Sequence, residues 1–200
     1  MVTPELRVII ASQTMEVWQH DRLICSYEVS TSKFGTGNQE GSFRTPLGIF
    51  EVCEKHGDGA SLNTIFKGRK PEGEWNTQSS PVEEDLVLTR ILRLHGLERQ
   101  NENTYQRFIY IHGTNHEDTI GSAASHGCIR MRRADIAELY EIIPRGTRTR
   151  IASNERAAMS PGPGQTNAWS LISGSPVLNC LVKSAFPERE GASESIRTQP

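Results

Sequence analysis

The residues best suited to covalent chemistry are gathered between positions 107 and 131. The chain there reads Arg107-Phe108-Ile109-Tyr110-Ile111-His112-Gly113-Thr114-Asn115, then Ile120-Gly121, then Ser125-His126-Gly127-Cys128-Ile129-Arg130-Met131. A thiolate is a strong nucleophile, and a neighbouring imidazole either removes the thiol proton or holds the thiolate as an ion pair. Cys128 follows His112 by sixteen positions, and Gly113, Gly121 and Gly127 between them let the chain double back so that thiol and imidazole meet. Gly127 has no side chain to block approach to the sulfur. Backbone N–H groups around Gly127 and Cys128 are candidates for an oxyanion hole. These ingredients amount to acyl transfer through a thioester.

Other chemistries fit less well. A zinc site could draw on His112, His116, His126 and Cys128. However, the run from His112 to His116 lacks the Glu of an HExxH helix, and no second cysteine pair completes a ligand set. A phosphatase-type cysteine loop needs an Arg six positions after the Cys, where this chain has Ala134. No phosphate-cradling glycine loop followed by Lys and Ser or Thr occurs. The expectation is therefore no metal and no cofactor. A lone cysteine is usually an inert core hydrophobe, but His112, His126, Cys128 and three Gly converging in a short span point to a working site.

Strands must position this pair. On a strand from 108 to 112, Phe108, Tyr110 and His112 share one face and Ile109 and Ile111 the other, so His112 ends a strand whose back feeds the core. Alternation predicts earlier strands at Leu6–Ala11, Met15–His20 and Leu23–Ser30, with Asp21-Arg22 turning the last two into a hairpin. Ile49–Cys53 follows a Pro/Gly corner, and Leu86–Leu94 and Thr147–Ala152 complete the strands. Ile136, Leu139, Tyr140 and Ile143 fall at helical spacing over Arg133–Ile143, stopped by Pro144 and Gly146. The fold expected is mainly β with one or two helices, a catalytic body over residues 1–152. Within it, residues 54–85 are polar and glycine-rich, a lid-like insertion. Residues 153–200 are rich in Ser, Gly and Pro and read as a flexible tail, with apolar islands at Trp169–Ile172 and Val177–Val182.

Charge narrows the partners. Lys and Arg number 22 against 24 Asp and Glu, a net charge of −2. That balance argues against nucleic acid or an anionic membrane as the main partner. No window approaches the ~20 apolar residues of a membrane span. The first apolar stretch, Val8 to Ala11, is too short and too charged for an export signal, which predicts a cytoplasmic product, or a periplasmic one if a signal peptide lies upstream. Cys25, Cys53, Cys128 and Cys180 form no CxxC pair and read as free thiols. The oligomeric state is open.

The ordered block His112-Gly113-Thr114, Ile120-Gly121 and Ser125-His126-Gly127-Cys128-Ile129-Arg130-Met131 resembles the signature of the YkuD-type L,D-transpeptidase family, with likeness from about residue 6 to 152 that includes Thr45-Pro46-Leu47-Gly48-Ile49-Phe50. The resemblance implies a β-sandwich catalytic domain acting on peptidoglycan peptide stems or soluble muropeptides. It makes Cys128 the nucleophile and His112 the base and acid, with the Gly113 carbonyl orienting the imidazole. Ser125, His126 and Gly127 would shape the pocket and oxyanion hole. Arg130 stands where many relatives carry Asn and others Arg. It is expected either to grip a substrate carboxylate or to pair with Asp135 or a Glu. Trp75 either covers the peptide stem or anchors the insertion. The bond attacked in this family joins the L-centre of a diamino acid to a terminal D-alanine. Water as acceptor gives an L,D-carboxypeptidase and an amine a transpeptidase. The missing export signal favours water. A non-catalytic muropeptide-binding module is a rival of another class, against which the intact Cys and His speak.

Overall fold

Alternating burial builds most of the sheet. In the computed structural model, which describes residues 3–76, 78 and 83–159, β1 (Glu5–Ile9), β2 (Thr14–Gln19) and β3 (Arg22–Glu28) form an antiparallel meander. Leu6, Val8, Met15, Val17, Cys25 and Tyr27 all turn inward from it. The tight turn falls at His20-Asp21, one residue earlier than predicted. Both residues have positive φ (49° and 60°), the conformation that suits the twist of a two-residue hairpin.

β4 (Gly48–His56) and β7 (Val87–Gly96) pair antiparallel, and β10 (Arg148–Ala152) lies between β4 and β1, antiparallel to the first and parallel to the second. β7 also pairs antiparallel with β8 (Tyr110–Gly113), which runs parallel to β9 (Ile129–Met131). The ten strands are thus one connected network that branches at β7. Its two wings face each other across a single core. Side chains of β1–β3 meet Ile109, Ile111, Ile129 and Met131, while Ile136, Leu139 and Ile143 of helix α1 (Arg133–Ile142) and its C-terminus close one end. This is the mainly β sandwich expected.

Two expectations need correction. Residues 54–85 are not simply a loop: β4 continues to His56, and β5 (Thr64–Lys67) and β6 (Lys70–Glu74) form a hairpin whose first strand pairs with β7. All five β6 residues are exposed, so no alternation could announce it. The hairpin is tied down by Thr89 Oγ1 donating to Leu62 O (2.6 Å) and Arg90 to Ala60 O (2.6 Å). Second, β8 starts at Tyr110, not Phe108. A 3-10 segment (Arg99–Thr104) and the turn after it leave Phe108 at a φ of 55°, half exposed, outside the alternation. Beyond β10 a short α2 (Glu155–Met159) packs Ala158 on Ile9 and Ala152. The apolar islands of the tail lie outside the described residues. Among the described residues, no helix is long and apolar enough to cross a membrane.

Ile111 is fully buried between the two wings and backs His112. Ile111→Ala should cost about 2–5 kcal/mol, read as a lowered denaturation midpoint in urea. An unchanged midpoint would show that the wings do not share one core.

Candidate active site

Strand pairing brings the nucleophile and base together. In the parallel β8–β9 register His112 lies opposite Arg130 and Ile111 opposite Ile129, which sets Cys128 level with Tyr110. Side chains at Tyr110, His112, Cys128 and Arg130 therefore leave the same face. His112 and Cys128 sit one strand over and two residues apart, about 8 Å between Cα atoms from ordinary strand spacings. The sulfur rests between two backbone groups: Tyr110 N–H donates to it at 3.4 Å, and the thiol donates to Phe108 O at 3.5 Å.

The imidazole is locked by its own strand. His112 Nδ1 lies 2.8 Å from Gly113 O. A carbonyl only accepts, so Nδ1 carries the proton and Nε2 is left as the basic nitrogen. That carbonyl is held in turn by close packing. A Cβ on Gly113 would stand 2.8 Å from both Leu88 O and Thr89 Oγ1. The space exists because β7 carries two extra residues there, Leu88 facing Gly113 and Ile91 facing His112. Within this bulge Thr89, fully buried, adopts a φ of 72°, a strained conformation for a β-branched residue.

Ser125-His126-Gly127 forms a turn clamped from outside. Ser125 is fully buried; its hydroxyl donates to Cys128 O (2.6 Å) and accepts from Gly127 N–H (3.2 Å). Thr45 Oγ1 donates to Gly127 O at 3.0 Å. Gly127 has a φ of 123°, which a side chain would strain. Ser125 and the Gly127 amide thus shape the turn, leaving Cys128 N–H as the amide beside the sulfur with no hydrogen-bond acceptor among the described residues. His126 is exposed in a cluster with Phe34 and Phe43, ring centroids 5.7 and 6.1 Å away.

Arg130 is buried, with Nε 3.0 Å from Asp85 Oδ2 and Nη2 donating to Ala124 O (2.8 Å). Its ion-pair partner is therefore Asp85, not Asp135 or a Glu. Thr114 Oγ1 also donates to Asp85 (3.2 Å). Trp75 lies 4.8 Å from the Arg133 guanidinium, which also reaches Asn63 and Glu117, so it joins the hairpin to α1. Asp85 went unnoticed in the sequence because it sits in an ordinary acidic run before β7. Among the described residues, no three His, Cys, Asp or Glu are gathered as metal ligands.

Burial sets the protonation of the pair. It pushes the Cys128 thiol up to about 11, against the pull of Tyr110 N–H and the two arginines Arg130 and Arg107, with Asp85 pushing the same way as burial. It pushes the His112 imidazole below its ordinary 6.5, opposed by Asp85 and the Gly113 carbonyl and aided by Arg130. At neutral pH the site thus rests as thiol and neutral imidazole, an arrangement in which the base accepts the proton as the sulfur attacks.

Two outcomes follow. Gly113→Ala should displace the carbonyl that orients His112 and lower kcat by about tenfold or more, with the fold retained by circular dichroism; a wild-type kcat would show the close approach to be irrelevant. Because the thiol titrates near 11, peptide-resolved alkylation of Cys128 by iodoacetamide should keep rising beyond pH 9. A plateau by pH 7 would mean a resting thiolate instead.

Comparison with known proteins agrees with this geometry. The sequence model of the family described as the L,D-transpeptidase catalytic domain, YkuD, matches residues 4–151. The Bacillus licheniformis protein named as the L,D-transpeptidase YkuD is 56% identical over 146 residues, which are 73% of this chain and 64% of that protein. The chain thus spans a little under two-thirds of that relative's length. Bacillus subtilis YqjB, also named as an L,D-transpeptidase, is 41% identical over 56 residues, 28% of this chain and 32% of its own length. Among solved structures, an L,D-transpeptidase from Mycobacterium smegmatis superposes with a TM-score of 0.50 at 17% identity, covering 76% of this chain and 59% of its own, which speaks for the fold. A Cys–His pair set by parallel strands, on a sheet of this topology and under a family match that spans the sheet, has one home: this chain belongs to the YkuD family of L,D-transpeptidase catalytic domains.

Proposed function

We propose that this enzyme opens the amide between the L-centre of a diamino acid and the terminal D-alanine of a peptidoglycan stem, through a thioester on Cys128. The observation that carries this reading is the hydrogen bond from His112 Nδ1 to Gly113 O. It aims Nε2, as the base, at the face of the sheet from which Cys128 projects. As the sulfur attacks the carbonyl carbon, the S–H proton passes to Nε2. The carbonyl oxygen becomes an oxyanion that Cys128 N–H is placed to receive. When the C–N bond breaks, imidazolium returns the proton to the leaving amine and D-alanine departs. An acceptor then attacks the thioester, gives up its proton to Nε2, and expels the thiolate, which takes that proton back.

The acceptor decides the product. An amine is supported by the names of the family and of its Bacillus relatives, and makes a cross-link or exchanges a D-amino acid, work done outside the membrane. Water trims a tetrapeptide to a tripeptide and suits soluble muropeptides in the cytoplasm. We favour the amine on the strength of the relatives.

Incubating the enzyme with a disaccharide tetrapeptide should release D-alanine and give cross-linked dimers by mass spectrometry. Tripeptide as the sole product would make water the acceptor. Cys128→Ala and His112→Ala should each reduce D-alanine release by at least about a thousandfold. Cys128→Ala should also lose the covalent adduct formed with a carbapenem. Undiminished release by Cys128→Ala would end the thioester mechanism.

A further inference from the structure

Arg130 is paired with Asp85, and the hairpin beside the cysteine presents a further cation. Arg69 stands on the tight turn between β5 and β6, held there by a φ of 68°. Its Nη1 donates to Tyr110 OH at 3.2 Å, and its guanidinium carbon lies 5.8 Å from the centre of the exposed Phe108 ring. Tyr110 and Phe108 are the two residues whose backbone groups hold the Cys128 sulfur, and the Tyr110 ring belongs to the apolar cluster on which Cys128 packs. The guanidinium therefore sits one tyrosine side chain away from the nucleophile.

The charge on Arg69 is not used up within the protein. Its nearest carboxylate, Glu54, lies 3.9 Å away and is engaged elsewhere: it accepts from Tyr105 OH (2.7 Å) and from Arg93 (3.3 Å), and contacts His56 Nε2 at 2.9 Å. Buried Arg93 and Glu54 balance one another. Arg107 is committed as well, its two terminal nitrogens donating to Gly37 O and Arg44 O. Arg69 keeps a side chain 30% exposed and, after its bond to Tyr110, further N–H donors in a planar fork that matches a carboxylate.

We propose that Arg69 binds a carboxylate of the donor peptide and thereby selects the stem, an inference that rests on the function proposed above. Its separation from the sulfur by a whole tyrosine side chain suits a carboxylate borne upstream of the scissile bond rather than on the departing D-alanine. Two sources share this chemistry: a carboxylate on the side chain of the third residue, and one on the second residue.

The test uses the full chain and four tetrapeptide donors, each of the two positions carrying either a free carboxylate or its amide. The wild-type enzyme should prefer the free acid at one position by about tenfold to a hundredfold in kcat/KM. Arg69→Gln should erase that preference, with the loss carried by KM, and Arg69→Lys should retain part of it. The position whose preference collapses identifies the source. Equal discrimination by wild type and Arg69→Gln at both positions would overturn the proposal. So would a loss confined to kcat and accompanied by a lowered Tm, the mark of a mere pin for the hairpin. If the wild type turns over none of the donors, the proposed reaction fails, not the recognition. Calorimetric binding of the same four peptides to Cys128→Ala and to its Arg69→Gln double variant then decides Arg69 alone, weaker acid binding in the double variant supporting it and equal binding overturning it.

Discussion

Everything at this site hangs on one short contact, the 2.8 Å approach of His112 Nδ1 to the next residue's carbonyl. Such a bond forms only if the backbone at Gly113 is turned and pressed close to its neighbour strand, and that requires a residue without a Cβ against Leu88 and Thr89. The bulge in β7 makes the room at the cost of a buried threonine in left-handed backbone. Strain of this kind persists where surrounding structure over-determines it. Here the surroundings are long-range: β7 is gripped by β4, β5 and β8 at once. The tautomer of one imidazole is thus maintained by the whole sheet.

Charge is handled with the same economy. Two arginines lie buried near the site, and each has a carboxylate of its own, Arg130 with Asp85 and Arg93 with Glu54. A buried ion pair is weak evidence of stability, because desolvation offsets most of its attraction, but removing one member strands the other. In each pair a carboxylate offsets the guanidinium, and burial is the largest of the influences that hold thiol and imidazole in their neutral forms. Glu54 is held down to about 2, first by the Tyr105 hydroxyl and then by His56 and Arg93, and so stays ionised beside Arg93 throughout the neutral range.

The sequence was legible where burial alternates. Strands β1 to β4, β7 and β10 and helix α1 followed from apolar periodicity, since each turns one face to the same core. The Cys–His pair was legible because reactive residue types and glycines crowd a short span. β6 was invisible, having no buried side chain, and Phe108 mimicked a strand residue while standing in a turn. Asp85 and Arg69 were hidden for a different reason: a charge reveals its role only through a partner distant in sequence, 45 positions away for Asp85 and Arg130 and 41 for Arg69 and Tyr110. The bulge at Thr89 had no signal at all, because its cause lies in the strand opposite.

The parallel pairing of β1 with β10 joins residue 5 to residue 148 and residue 9 to residue 152. Without it β1 keeps an open edge while β4 lacks its partner on that side. Closing a loop of that length is slow relative to local hairpins. During synthesis, the histidine and the cysteine are both added to the chain before the strand that locks the sheet. The body must therefore wait, reactive residues already made but wings unjoined, until β10 arrives, and activity is a property the chain gains with that strand rather than at the point where its nucleophile is added.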